Sequence, residues 1–106
     1  MSGRLSRNIH FLSLLLNSEK QQKRALLDTV NNDQADFIAE LINNFVHNFP
    51  IAGEDKKRIA RKKVFKDITN LKRTFKFRKA KIKQAKKEIL LLLDNYHKQL
   101  STLLTA

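Results

Sequence analysis

A strongly cationic segment between Lys56 and Lys87 carries the residues best suited to chemistry in this chain. It holds 16 Lys or Arg and a single acid, Asp67. Lys and Arg are the side chains that neutralise phosphates, and each neutralised phosphate releases a counterion. We therefore predict that an anionic polymer binds to these residues: Lys56, Lys57, Arg58, Arg61, Lys62, Lys63, Lys66, Lys72, Arg73, Lys76, Arg78, Lys79, Lys81, Lys83, Lys86 and Lys87.

Two other interpretations of this segment are a solvated helix face and a contact with an acidic membrane surface. A solvated face normally mixes signs and forms Glu–Lys pairs four residues apart. Here like charges recur at that spacing, as in Lys57/Arg61 and Lys79/Lys83, and each such pair costs about 0.2–0.5 kcal/mol. A polyanion would reverse the sign of this cost, so we favour polyanion binding and keep the other two as alternatives.

The composition of the segment predicts contacts to phosphates more than to bases. It contains 12 Lys and 4 Arg, and Arg is the side chain that recognises guanine with two hydrogen bonds, whereas Lys acts as a point charge. We therefore expect weak sequence preference. Phe75 and Phe77 flank Lys76 and are interpreted first as core residues, with stacking on single-stranded bases as the alternative.

The remaining polar residues form no catalytic or metal-binding pattern. His10, His47 and His97 lie far apart, and none has a second ligand three or four residues away. There is no Cys, no Gly-rich phosphate loop and no nucleophile in a recognisable setting. We expect no enzymatic activity, no metal and no cofactor. We interpret Asp33 as the cap of the third helix, with Asp36 favourable in its first turn, and expect Asp28 to pair with Arg24.

The elements that position the basic residues are predicted to be helices. Two Gly and one Pro in 106 residues leave few places for tight turns. Apolar spacing predicts three short helices in residues 1–52, with Ser18 and Gln21 as a capping box before the second. The segment 48–55, "NFPIAGED", contains the only Pro and is the predicted connection to the second half.

The second half is predicted to form two longer helices. The first follows Glu54 and Asp55, and the chain then turns near Thr74 to Phe77, with Thr74 as a cap. The second has near-heptad apolar spacing from Ile82 to Leu103 and would extend for about 40 Å. The alternative is one uninterrupted helix from residue 54 onward.

These elements predict one all-α domain spanning 1–106, a compact bundle of about five helices. Residues 1–52 are net neutral, and residues 53–106 carry the whole excess of +12. The four consecutive Leu at 90–93 offer more apolar surface than one face buries, which predicts either a wide core stripe or a homodimer. The predicted self-association residues are Ile89, Leu92, Leu93, Tyr96, Leu100 and Leu103.

The stretch "FIAELINNFVHNFPI", followed by a Lys/Arg-rich helix, resembles a short basic protein of Maverick/Polinton elements and adintoviruses. Glu40, Asn44, Phe45–Val46 and Pro50–Ile51 match the pattern in order, within a resemblance that covers residues 9–88. Two features depart from it: the turn has Asn48 where the family usually has Gly-Asn, and a Leu-rich helix replaces the family's Gly-Gly ending. The resemblance implies a virion core or DNA-condensing protein, located in the virion or the host nucleus.

We therefore expect a non-specific nucleic-acid-binding protein that contacts double-stranded DNA through phosphates and packages or condenses it. The alternative is a helical adaptor that docks a protein through Phe37, Leu41, Phe45 and Phe49, while its basic half targets an acidic partner. A membrane role is the weaker expectation. The longest apolar run has five residues, Ile89 to Leu93, far short of the roughly 20 that span a bilayer, so we expect an intracellular protein that is not secreted.

Overall fold

The structure, a computed structural model, describes residues 3–47, 49 and 51–104. Every regular element in those ranges is an α-helix, which confirms the all-α class. The predicted number of about five helices is wrong, because the described residues contain eight. They are α1 (Gly3–Asn17), α2 (Lys20–Asp28), α3 (Asn32–His47), α4 (Gly53–Arg61), α5 (Lys63–Thr69), α6 (Phe75–Gln84), α7 (Lys86–Asn95) and α8 (His97–Leu104).

The three helices of the first half occur where they were predicted, but their caps differ. Glu19 is the N-cap of α2 and makes no side-chain capping bond, so the predicted box at Ser18 is wrong. The box lies before α3, where the Asn31 Oδ1 accepts from the Gln34 N–H at 2.8 Å and the Gln34 Oε1 accepts from the Asn31 N–H at 2.9 Å. The predicted cap at Asp33 is therefore wrong, because Asn31 accepts the capping bond and Asp33 lies in the first turn of α3.

The first predicted helix of the second half is two helices, α4 and α5, that meet at Lys62. The backbone of Lys62 is extended, with φ −67° and ψ 118°. Ile59 and Phe65 are both buried. In a straight helix, residues six positions apart point in directions that differ by about 120° around the axis, because six residues turn by roughly 600°. The break brings both side chains into one core. Glu54 and Asp55 lie in the first turn of α4, as predicted.

The predicted long final helix is also wrong, because α6, α7 and α8 are separate. Breaks occur at Ala85, with φ −98° and ψ 13°, and at Tyr96, with φ −117° and ψ 26°. A straight helix over residues 75–104 would be about 45 Å long at 1.5 Å per residue. The whole molecule measures only 32 × 29 × 27 Å, so the bends fold the apolar stripe back onto the core.

One hydrophobic core is shared by both halves of the chain, and each of the eight helices contributes to it. Its centre is α3, which packs on α1, α4, α5 and α6. Phe37 contacts Phe11 edge-on at a ring separation of 6.4 Å, and Phe45 contacts Phe49 at 4.9 Å. Phe37, Leu41 and Phe45 are buried and Phe49 is half-buried, so the docking face expected of an adaptor is occupied by the chain's own core.

Ion pairs join the neutral half to the basic half. The Asp36 carboxylate pairs with Arg78 at 2.7 Å, the Asp28 carboxylate with Lys86 at 2.8 Å, and Lys23 with Asp94 at 3.5 Å. The expected Asp28–Arg24 pair is therefore replaced by a contact across the fold. The connection between the halves lies between α3 and α4, and its residues Asn48 and Pro50 lie outside the described residues.

Candidate nucleic-acid interface

The sixteen predicted phosphate contacts differ in their exposure. Four of them are half-buried: Lys56, Lys79, Lys81 and Lys86. One, Arg78, is buried. The other eleven are exposed: Lys57, Arg58, Arg61, Lys62, Lys63, Lys66, Lys72, Arg73, Lys76, Lys83 and Lys87.

Arg78 is a correction to the predicted set. It is 3% exposed, its Nη1 contacts the Asp36 Oδ1 at 2.7 Å and its Nε donates to the Ile68 carbonyl at 3.0 Å. These bonds use the guanidinium to join α3, α5 and α6. Arg78 is therefore unavailable to phosphate, and its position within a run of cations gave no sign of this.

Acids compensate only part of the exposed charge. Asp67 serves two cations, Lys63 at 3.6 Å and Lys81 at 3.7 Å, and Asp55 pairs with Arg58. Nine exposed cations of the Lys56–Lys87 segment have no ion pair among the described residues, and we call them the cationic surface. They are Lys57, Arg61, Lys62, Lys66, Lys72, Arg73, Lys76, Lys83 and Lys87.

Aromatic rings hold several cations of the segment in place. The Arg73 guanidinium lies 3.8 Å from the Phe77 ring centre, and the Lys81 ammonium approaches the same ring at 5.3 Å. The Lys79 ammonium lies 5.7 Å from Phe75. Both rings are half-buried, so their faces contact cations of this chain, which leaves little room for the base stacking considered as an alternative.

A concave part of the cationic surface lies along α4. A cleft of about 350 Å³ is lined by Lys57, Arg58, Arg61 and Lys62, with Glu54 as the only acid in its lining. Arg58 and Arg61 occupy the last turn of α4, where the helix dipole favours cations. The cleft can accommodate a phosphate group among several positive charges.

The predicted self-association residues lie largely in the core of the single chain. Ile89, Leu92, Leu93 and Leu100 are buried, and Tyr96 and Leu103 are half-buried against the same core. Their continuous heptad stripe is interrupted at Ala85 and Tyr96. This arrangement corresponds to the wide core stripe, and the homodimer stays a prediction.

A polar cluster that was not predicted from the sequence lies between α1 and α3. The Asp33 carboxylate accepts from the Arg7 Nη2 at 3.0 Å and from the Asn8 Nδ2 at 2.8 Å. The bond from Arg7, and then that from Asn8, lower the pKa of the Asp33 carboxyl below its usual value. The only signal of this cluster in the sequence is Asn8, a polar residue that interrupts the apolar face of α1. The cluster fixes α1 to the first turn of α3.

Two kinds of feature are missing from the part of the chain that the structure describes. No three His, Cys, Asp or Glu side chains there are arranged to hold a metal ion. No helix there combines the length and the apolar character that crossing a bilayer requires.

Comparison with known proteins finds no family model, no curated protein and no solved structure that matches this chain. The resemblance to the basic protein of Maverick/Polinton elements and adintoviruses therefore stays a prediction that depends on the residues quoted above.

Proposed function

We propose that this protein binds nucleic acid without sequence specificity, through phosphates, and that its ligand is double-stranded DNA. The observation that carries the proposal is the cationic surface, nine exposed bases on α4–α7 and their connections without an ion pair among the described residues. Duplex DNA presents one negative charge per roughly 1.7 Å of axis. This dense negative charge complements such a surface.

The distribution of the acids supports the proposal over a merely solvated face. Asp28 and Asp36 pair with cations from the other half of the fold, and Asp67 is shared by two Lys. The acids therefore fix the position of helices while the outward charge stays uncompensated. Repulsion among those cations destabilises the free protein and is relieved when phosphates bind.

The residue types support backbone contacts over base recognition. Seven of the nine residues of the cationic surface are Lys and two are Arg, and Arg73 is already in contact with Phe77. Such a surface positions DNA without selecting its sequence. This is the behaviour needed to package or condense a genome, and the resemblance to a virus-like element makes that its proposed setting.

A charge-neutralising triple variant tests the site. Lys57→Gln, Arg61→Gln and Lys62→Gln together remove three charges from the α4 cleft. The slope of log affinity against log salt should become shallower by about 2.7, at about 0.9 per phosphate lost. The measurement is fluorescence anisotropy with a duplex of about 20 base pairs, within reach of one domain.

The matched control removes three exposed bases outside the segment, with Lys20→Gln, Arg24→Gln and Lys98→Gln. It has the same net charge as the α4 triple variant, so general charge effects cancel. Its salt slope should stay close to that of the unaltered protein. An equally shallow salt slope in both triple variants would overturn the assignment of the α4 cleft. Failure of the unaltered protein to bind any duplex would overturn the proposed function.

A second candidate function, an adaptor for an acidic protein, is favoured by one other cavity. It measures about 160 Å³ and is lined by apolar residues that include Ile59, Phe65 and Leu91, with two bases, Arg58 and Lys62, and one acid, Glu88. Leu91 is 58% exposed. An acidic partner with an apolar anchor would suit this lining. Leu91→Ser should then abolish partner binding and leave DNA affinity unchanged, whereas the nucleic-acid proposal requires a salt-dependent DNA affinity.

A further inference from the structure

The turn between α5 and α6, residues 70–74, presents an apolar side chain to solvent. Leu71 is 65% exposed, which makes it the most exposed large apolar residue among the described residues, ahead of Leu91 at 58% and Ile9 at 39%. A solitary exposed Leu is ordinary on protein surfaces. Whether Leu71 takes part in binding depends on the residues around it.

Hydrogen bonds hold this turn in a defined shape. The Asn70 carbonyl accepts from the Arg73 N–H at 3.0 Å, and the Asn70 Oδ1 accepts from the Lys72 N–H at 3.1 Å. On the α6 side, the Thr74 Oγ1 accepts from the Phe77 N–H at 3.2 Å. The Arg73 guanidinium lies on the Phe77 ring at 3.8 Å. The backbone on both sides of Leu71 is therefore fixed, and the side chain is held out from the core.

Cations follow Leu71, the apolar tip of this turn, in the chain, and the one acid of the cleft that Leu71 lines, Asp36, is paired with Arg78. Lys72, Arg73 and Lys76 are exposed, and none of them forms an ion pair with a residue that the structure describes. The nearest acid of α5, Asp67, is already shared by Lys63 and Lys81. The tip thus combines an apolar apex with uncompensated positive charge, which complements a surface that is anionic outside and apolar within.

We propose that Leu71 is a wedge that enters the minor groove of duplex DNA and separates two stacked base pairs, while Lys72, Arg73 and Lys76 contact the flanking phosphates. This inference rests on the proposed function and deepens it. Proteins that bend DNA insert Leu, Ile, Phe or Met between base steps in this way. The bend would bring more of the duplex against the cationic surface.

The surroundings of Leu71 favour DNA over a lipid surface. Binding to a membrane interface requires a continuous apolar face, and the next apolar residues along the chain, Phe75 and Phe77, are half-buried. A wedge needs only one protruding side chain. A compact domain also needs to bend DNA to contact more than one helical turn, because its longest extent is 32 Å.

The test uses the full chain and a labelled duplex whose fluorescence measures bending and base unstacking. The duplex carries a fluorophore at each end for energy transfer and a 2-aminopurine base, which brightens when it is unstacked. The unaltered protein should raise both the energy transfer and the 2-aminopurine fluorescence. Leu71→Ala should lose both signals and bind within about threefold of the unaltered affinity at low salt, because phosphate contacts dominate affinity.

Leu91→Ala is the matched control, since it shortens another exposed Leu outside the basic turn, and it should bend the duplex as the unaltered protein does. Binding without bending or unstacking, or unchanged signals in Leu71→Ala, would overturn the wedge and leave the proposed function standing. Absence of any duplex binding would overturn both. Binding to phosphatidylserine vesicles that depends on Leu71, without a change in the duplex, would assign the tip to membranes.

Discussion

Arg78 illustrates how neighbours decide the use of a single residue within a basic segment. Fifteen other cations surround it in sequence, yet its side chain is nearly inaccessible and joins Asp36 to the carbonyl of Ile68. A charge enters a protein interior only when it is paired and hydrogen-bonded. Asp36 supplies that pairing from 42 residues away, which no local pattern could have indicated.

Replacing Arg78 should destabilise the protein far more than replacing its exposed neighbours. Arg78→Met keeps most of the volume but leaves Asp36 and the Ile68 carbonyl without their partner, at a cost of about 3 kcal/mol. Lys76→Met, an exposed residue of the same helix, should change the free energy of unfolding by less than about 0.5 kcal/mol. Urea denaturation measures both values, and equal effects would contradict the role assigned to Arg78.

The Asp33 cluster should make stability depend on pH in the acid range. The pKa of the Asp33 carboxyl is lowered in the folded state. The contribution of this carboxylate to the free energy of unfolding is therefore complete above the unfolded pKa of about 3.9. That contribution is lost as the pH falls through the lower folded pKa. The difference in stability between the unaltered protein and Asp33→Asn should therefore be largest above about pH 4 and shrink as the pH falls below it.

The matched control for Asp33 is Asn32→Ala, a change at the neighbouring exposed residue that removes no carboxylate. Its stability difference should not shrink over the same pH range. Denaturation at a series of pH values gives both profiles. A constant difference between Asp33→Asn and the unaltered protein would show that the cluster contributes no pH dependence.

At the scale of the elements, the capping box at the start of α3 is the most local determinant of the fold. Asn31→Ala removes the acceptor of the Gln34 N–H and should lower the free energy of unfolding by about 1 kcal/mol. Asn32 lies one residue inside the helix and forms no capping bond, so Asn32→Ala should lower the free energy of unfolding by much less. Thermal unfolding of the two variants distinguishes them, and equal losses would contradict the capping role.

The elements also show what the sequence could and could not predict. The three helices of residues 1–52 were predictable because Asn and Asp clusters separate their apolar stripes. Thr74 was predictable as the cap of α6, and its side chain accepts the Phe77 N–H. The breaks at Lys62, Ala85 and Tyr96 were not, because none of them contains Gly or Pro. They arise from packing, which overrides helix propensity when a straight helix would leave apolar residues in solvent.

At the scale of the whole molecule, the charge asymmetry is what the sequence predicted most directly. The excess of +12 lies in the second half, and nine bases of its Lys56–Lys87 segment are exposed without an ion pair among the described residues. The sequence could not distinguish these nine exposed, unpaired bases from the other seven bases of the segment. Burial of Arg78 and pairing with Asp28, Asp55 and Asp67 depend on which helices meet in the folded protein.

The salt dependence of duplex binding tests the central proposal most directly. If six or more bases of the cationic surface contact phosphates, the affinity for a duplex of about 20 base pairs should fall by about 10³ to 10⁵ between about 50 and about 200 mM salt. The fall should be similar for unrelated sequences, since few contacts recognise bases. A duplex affinity that does not change with salt, or no binding even at the lowest salt, would contradict the proposal.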